Sequence, residues 1–186
     1  MISYDRAKKI LKKATINIKD EKIKSINSLN RAVSKNIYSP INYPSGDNAA
    51  FDGYAINSNH TRNIKKNLSQ KFKIIGLIST GNKPFKKKIK KFDTVEIMTG
   101  GIITHPFNTV IPIEKINFYP DNKNAKSILI DHTIKQYNHV RFKGSDYKKK
   151  QLIIKNGTII QPNHILALKT LGIKKIKVKK KLNILF

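Results

Sequence analysis

The sequence predicts an α+β fold: an elongated helix-and-hairpin domain carrying an inserted, mostly β domain. Three observations predict it. Apolar residues recur at helical spacing only in the first 40 residues and again at 162–171. Between 39 and 140 they fall in short runs separated by Gly, Pro and Asn. An Asn156-Gly157 pair between two short apolar runs is the strongest local hairpin signal in the chain.

Taken in order, Tyr4, Ala7, Ile10, Leu11 and Ala14 share one helical face, with Ser3 placed as cap and Asp5 in the first turn, so 1–16 is read as an N-terminal helix. Asp20-Glu21 followed by Ile23, Ile26, Leu29 and Val33 predicts a second helix. It must end near Asn36, because Pro40 biases Ser39 away from helical backbone. Strands are predicted at 72–78, 94–98 and 109–113, and as a pair at 116–118 and 128–130 around the polar loop 121–127. The punctuation by Gly81, Pro84, Gly100-Gly101, Pro106 and Pro120 suggests a small barrel or sandwich. Beyond Asp146, 152–154 and 158–160 are predicted to pair as a hairpin. Pro162 then opens a helix through Ile165, Leu166, Leu168 and Leu171 that Gly172 ends, and Ile173, Ile176 and Val178 start an extended segment. The expected organisation is a helix at 1–16, an elongated domain from 17–38 plus 141–178, an inserted β-rich domain at 39–140, and at 179–186 the first strand of a further module.

Composition narrows the functions. Among 186 residues, 34 Lys and 4 Arg face 11 acids, for a net charge of +27. Such a charge attracts polyanions. However, Lys, Ile and Asn together make up 84 residues and are spread evenly, and the scarcity of Arg argues against sequence-reading nucleic-acid contacts. Nucleic acid is therefore not the expected partner, and a charge-driven binder is the lowest alternative. The absence of Cys excludes disulfides, thiolate metal sites and Cys nucleophiles. No run approaches the ~18 apolar residues of a membrane span, and the N-terminus lacks the apolar core of a signal peptide. A cytoplasmic protein that does not engage membrane is expected. The five His show no metal-ligand spacing and read as surface or turn residues.

Three clusters carry candidate chemistry. The first, 46–54, places Asp47 and Asp52 around Asn48 and two alanines, with Gly53 permitting positive φ and close approach to a ligand. The alternative is a surface turn in which both acids bond their own backbone. In the second, a strand runs into Met98-Thr99-Gly100-Gly101, offering a hydroxyl and several N–H groups as an anion cradle, or simply a β-turn. The third, 141–146, gathers Arg141, Lys143, Gly144, Ser145 and Asp146, suited to an anion with its divalent cation or else a solvated basic loop.

In this order the clusters resemble the MoeA-type molybdopterin molybdenumtransferases, the family that includes the C-terminal domain of gephyrin. DNAAFDGYAI is similar to the family's DNSAMDGYAV, TVEIMTGG to its RIMTGA turn, and VRFKGSD to its R-x-x-G-E-D loop. IIKNGTIIQPNHILALKTLGIKKIKV follows its l-pAGt-l-p-ei-lLaslGi-ev-V pattern. The resemblance covers nearly the whole chain.

It implies an enzyme that inserts molybdate into adenylylated molybdopterin with magnesium, releasing AMP. It places Asp52, Thr99 and Asp146 as catalytic residues, with Asp52 and Asp146 as the metal-holding or water-positioning acids. Asp47, Asn48, Gly53, Gly100, Arg141 and Gly144 are implied to bind substrate. Two departures stand out. Ser145 occupies the position of the family's Glu, and the LNILF end corresponds to the opening strand of the family's α/β substrate domain. A truncated or split enzyme is thus implied, acting as a homodimer or with a partner chain that carries that domain. A non-catalytic remnant or dimerisation scaffold is the alternative.

Overall fold

The computed structural model describes residues 2–13, 17–65, 68–81 and 85–182. In chain order its elements are α1 (Tyr4–Lys13), β1 (Asp20–Lys24), β2 (Ile37–Tyr38), β3 (Asn48–Ala49), β4 (Gly53–Ile56), β5 (Gln70–Ile78), β6 (Asp93–Ile97), β7 (Thr109–Pro112), β8 (Asn117–Tyr119), β9 (Ser127–Ile130), β10 (Val140–Arg141), β11 (Leu152–Ile154), α2 (Pro162–Thr170) and β12 (Lys175–Lys179). The chain divides into two compact units, Met1–Pro40 with Lys150–Phe186, and Ile41–Lys149. The α+β class is as expected. Segment 141–149 is tied to the start of the second unit: Gly144 donates to the Pro44 carbonyl, Tyr147 pairs with Tyr43, and Lys149 N–H bonds the Asn42 side chain.

In the first unit, α1 forms as predicted, with the Ser3 hydroxyl accepting from Arg6 N–H. The predicted helix after Asp20 does not form. Residues 20–24 are β1, antiparallel to β12 with Ile23 opposite Ile176, and a 3₁₀ turn follows at Ser25–Asn27. The spacing of Ile23, Ile26, Leu29 and Val33 suits a helical face, yet tertiary pairing overrides it. The decision falls to the alternation of Ile176 and Val178 on a strand some 150 residues away, which half-buries Ile23 by pairing and leaves Ile26 and Leu29 exposed. Arg31 secures the edge by bonding Glu21 and the Lys179 carbonyl. The Asn156-Gly157 turn exists, with Gly157 at φ +83°, but its arms do not pair with each other. β11 pairs with β2, while Val33 N–H donates to the Thr158 carbonyl and Ile160 N–H donates to the Arg31 carbonyl. The two arms thus grip segment 31–38. α2 starts at Pro162 and stops at Gly172, φ +70°, as predicted. Val33, Ile154, Ile160, Leu168, Ile176 and Val178 make the core. Residues 183–186 of the expected terminal strand lie outside the described residues.

In place of a barrel or sandwich, the second unit is built on one six-stranded sheet in the order β7-β4-β6-β5-β9-β8, with only β5 and β6 parallel. Strand alternation gives it apolar residues on both faces. Ala55, Val95, Ile97 and Val110 pack with Ala49 and Phe107, whereas Tyr54, Ile56, Phe72, Ile111 and Ile128 form a second cluster. Burying both faces explains the near-continuous apolar character of β4 and β7.

His60, read from sequence as a surface or turn residue, sits in the turn Ser58–Thr61, half-buried against Phe72 and Phe92, and its Nδ1 accepts from Phe92 N–H at 3.3 Å. Burial, and then the charge of Lys91, holds its pKa below the ordinary value. The unfolded chain therefore takes up this proton first. Stability from this group is present above about pH 6.5 and is lost as the pH falls through the lowered folded value. Urea unfolding between about pH 8 and about pH 5 should show this decline, and His60→Gln should flatten it. An equal decline in both proteins would refute it.

Candidate functional site

The three sequence clusters meet on the short segment 47–52 of the second unit. Its β3 pairs with β10, so that Asn48 lies opposite Arg141 and Ala49 opposite Val140. On its other side, Ala49 N–H donates to the Gly101 carbonyl at 3.0 Å, Gly100 N–H donates to the Ala49 carbonyl at 2.8 Å, and Ile103 N–H donates to the Asp47 carbonyl at 2.9 Å. Two residues of strand thereby hold loops that are about 50 and about 90 positions away in sequence, with backbone hydrogen bonds on both edges.

Side chains continue the pattern. Asp52 Oδ1 accepts from Thr99 N–H at 2.6 Å and from Thr99 Oγ1–H at 2.7 Å. The amide first, then the hydroxyl, holds the Asp52 carboxyl below its usual pKa, so this exposed acid stays ionised well into the acidic range. Arg141 Nη2 donates to Asp146 Oδ2 at 2.8 Å, and the Ser145 hydroxyl donates to Asp146 Oδ1 at 3.1 Å. Asp47 Oδ1 accepts from Lys143 N–H at 2.8 Å, and Gly144, φ +73°, turns the 141–146 loop back toward Tyr43 and Pro44. Asn48 is 7% exposed, and its buried Oδ1 has no hydrogen-bond partner among the described residues. A buried acceptor left open where three loops meet is a place for a ligand or water to donate.

Comparison with known proteins decides the kinship. The model of the MoeA N-terminal region (domain I and II) matches residues 2–172. The chain belongs to the MoeA N-terminal family. The molybdopterin molybdenumtransferase of Haemophilus influenzae is 29% identical over 185 residues, covering 99% of this chain and 43% of that protein. The molybdopterin molybdenumtransferase of Staphylococcus aureus is 26% identical over 151 residues, covering 81% and 35%. Among solved structures, the molybdopterin biosynthesis moeA protein of Pyrococcus horikoshii matches with a TM-score of 0.82 at 27% identity, covering 96% of this chain and 46% of that one. The chain spans less than half the length of the curated relatives it matches.

Within this MoeA N-terminal unit several expected roles change. The Thr-Gly-Gly turn is no open anion cradle. The N–H groups of Thr99, Gly100 and Gly101 are spent on Asp52, on the Ala49 carbonyl and on the Met98 carbonyl, because the turn is needed to anchor 47–52. Gly53 does not adopt positive φ and does not stand open to a ligand. It is buried in β4, where an added Cβ would lie 2.0 Å from the Ile111 carbonyl oxygen, so the close approach is to the neighbouring strand. Arg141, assigned to substrate phosphate, neutralises Asp146 in this arrangement. No group of three or more His, Cys, Asp or Glu side chains that could hold a metal forms among the described residues. Sequence reasoning missed the backbone amide of Lys143 and the orphaned Asn48 oxygen. Neither leaves a mark in sequence, since both depend on which distant loop lands beside 47–48.

Proposed function

We propose that this chain supplies the acid-bearing wall of a molybdopterin molybdenumtransferase site, at which molybdate enters the dithiolene of adenylylated molybdopterin and AMP leaves. The observation that carries it is the joining of the Asp52–Thr99 pair and the Arg141–Asp146 pair through β3. Paired donors and acids gathered on one short strand can hold an anion and position its leaving group. Magnesium fits this donor set in its usual manner, through one or two carboxylates plus substrate phosphate oxygens. Asp52 would hold it through Oδ2, leaving Oδ1 on Thr99, and the ion would offset phosphate charge. Asp146, with both oxygens hydrogen-bonded, would act from outside the metal's own ligands. Asp47 and Gly144 hold the 141–146 loop in place, and Thr99 and Gly100 hold Asp52 and β3. In this reading a partner subunit brings the family's α/β substrate domain to this wall and completes the cleft.

The test is a chimaera in which this chain replaces the matching 43% of the Haemophilus influenzae relative. AMP release from adenylylated molybdopterin, dependent on molybdate, is expected. A folded chimaera that binds both substrates yet releases no AMP would count against the proposal.

A further inference from the structure

On one face of the six-stranded sheet lies a cavity of about 790 Å³, within the size range of small-molecule sites, that the roles above leave unused. Its walls carry Tyr54, Glu96, Glu114 and Lys123 around the apolar surfaces of Ile74 and Phe118. Both acids are unpaired. Of the 11 acidic side chains, only Asp5, Glu96 and Glu114 make no hydrogen bond or ion pair within the described residues, although the chain has 38 basic residues. The third polar group is buried. Tyr54 is 4% exposed, its ring meets Phe118 edge-on at 5.8 Å, and its hydroxyl has no hydrogen-bond partner among the described residues. It lies directly opposite Glu96 on β6. Burial, then the Glu96 charge, raises the pKa of the phenol, so it meets the cavity as a neutral hydroxyl. A hydroxyl so deeply buried rarely goes without a partner, and whatever fills the cavity supplies one. Glu96 also stands where the RIMTGA turn that this segment resembles begins with Arg. In place of a built-in guanidinium, this chain has a carboxylate and an open cavity.

The complementary ligand is a cation, and the walls decide its kind. A metal ion is a poor fit, because no group of three or more His, Cys, Asp or Glu gathers to hold one among the described residues, and Ile74 and Phe118 offer it no oxygen. An organic cation on an alkyl stem uses the apolar walls as well as the acids. Of the two acids, Glu96 is half-buried and Glu114 exposed. A guanidinium sheds water more readily than an ammonium, pairs with a carboxylate through two N–H groups and stacks on aromatic rings, so it belongs at the Glu96 end, beside Tyr54 and Phe118. A strongly hydrated ammonium belongs at the exposed Glu114 end. We propose that this cavity binds a small organic dication, a guanidinium and an amine joined by an alkyl stem, with Glu96 and the Tyr54 hydroxyl taking the guanidinium and Glu114 the amine. The net charge of +27 does not forbid it, since exposed charges more than about 8 Å away are largely screened at physiological ionic strength. Lys123, on the wall, is the competing cation, and it forms no ion pair with either Glu among the described residues. None of these groups has a part in the transfer reaction proposed above.

The experiment titrates agmatine (4-aminobutylguanidine) into the full chain by calorimetry, with no molybdate, magnesium or nucleotide present. Saturable binding of one agmatine per chain is expected. Glu96→Gln, which keeps the shape and removes the charge, should weaken it about tenfold or more. Tyr54→Phe, which keeps the ring against Phe118, should weaken it several-fold. Lys123→Ala should tighten it, an effect that damage to the fold does not produce. An unchanged urea midpoint shows that each variant is folded like the natural chain. Absence of saturable binding, equal affinity in Glu96→Gln, or weaker binding in Lys123→Ala overturns the proposal. Two further probes test the ligand class. 1,4-Diaminobutane, which has no guanidinium, and N-acetylarginine methylamide, which has no second charge, should each bind about tenfold more weakly than agmatine. Equal binding of the diamine overturns the guanidinium at Glu96. Equal binding of the arginine derivative overturns the free dication and moves the cavity to an Arg side chain of a polypeptide. Displacement of agmatine by magnesium chloride at matched ionic strength overturns the organic ligand in favour of a metal ion.

Discussion

Asp52→Ala in the chimaera is expected to reduce AMP release about 100-fold or more, the scale for losing one preorganised electrostatic group. The substitution removes an exposed carboxylate, so folding should survive it. It also frees Thr99 N–H and Oγ1, both of which point at Asp52 Oδ1. Two causes of lost activity are therefore possible, and Asp52→Asn separates them. Its carbonyl oxygen still accepts from both Thr99 donors, so the 99–101 turn stays anchored while the charge is gone. Activity in Asp52→Asn is expected to remain as low as in Asp52→Ala. Recovery to near the natural rate would show that Asp52 only positions the turn. Because Thr99 keeps the Asp52 carboxyl ionised below the ordinary carboxylate range, activity near neutral pH should show no acidic limb from this group.

Gly53→Ala is expected to damage the second unit as severely as any single substitution in the chain. The new methyl would stand 2.0 Å from the Ile111 carbonyl oxygen and 2.9 Å from its carbon. Those atoms belong to the pairing of β4 with β7, so they cannot move without breaking the Gly53–Pro112 and Tyr54–Ile111 register. Overpacking against rigid backbone costs about 3 kcal/mol or more, a large share of a domain's stability. Urea unfolding should show that loss, or the variant should fail to accumulate in soluble form. Gly157→Ala is the control. Its φ of +83° strains any L residue, but nothing lies within 4 Å of the added methyl, so about 1–2 kcal/mol is expected. A Gly53→Ala loss no larger than that of Gly157→Ala would contradict the geometry.

The contrast between these two glycines shows how far sequence could lead. Gly157 was legible because Asn-Gly carries its own local chemistry, and the turn forms where that chemistry put it. Gly53 was misjudged because its reason for being glycine is an oxygen about 60 residues away. The same division holds for the elements. α1 carries its own hydrogen bonds and N-cap, and α2 its own caps and its stop at Gly172, within about ten residues. β1 was mistaken for a helix because its partner, β12, lies at the other end of the chain. The arms around Asn156-Gly157 were paired with each other because a hairpin needs the shortest loop, whereas segment 31–38 takes up both arms.

For the candidate site, sequence alone determined the chemical inventory: two acids near a glycine, a hydroxyl before two glycines, and an Arg–Asp loop. It also determined, through the order of those motifs, the family that carries them. Only the tertiary structure decided what each group does. It spends the Thr-Gly-Gly amides on anchoring β3, turns Arg141 onto Asp146, sets Gly53 against Ile111, and leaves the Asn48 oxygen open. The physical reason is that a residue's type fixes what it can donate or accept, a local property. Its partner is fixed by sheet register and loop convergence, which depend on backbone hydrogen bonds between segments far apart in the chain.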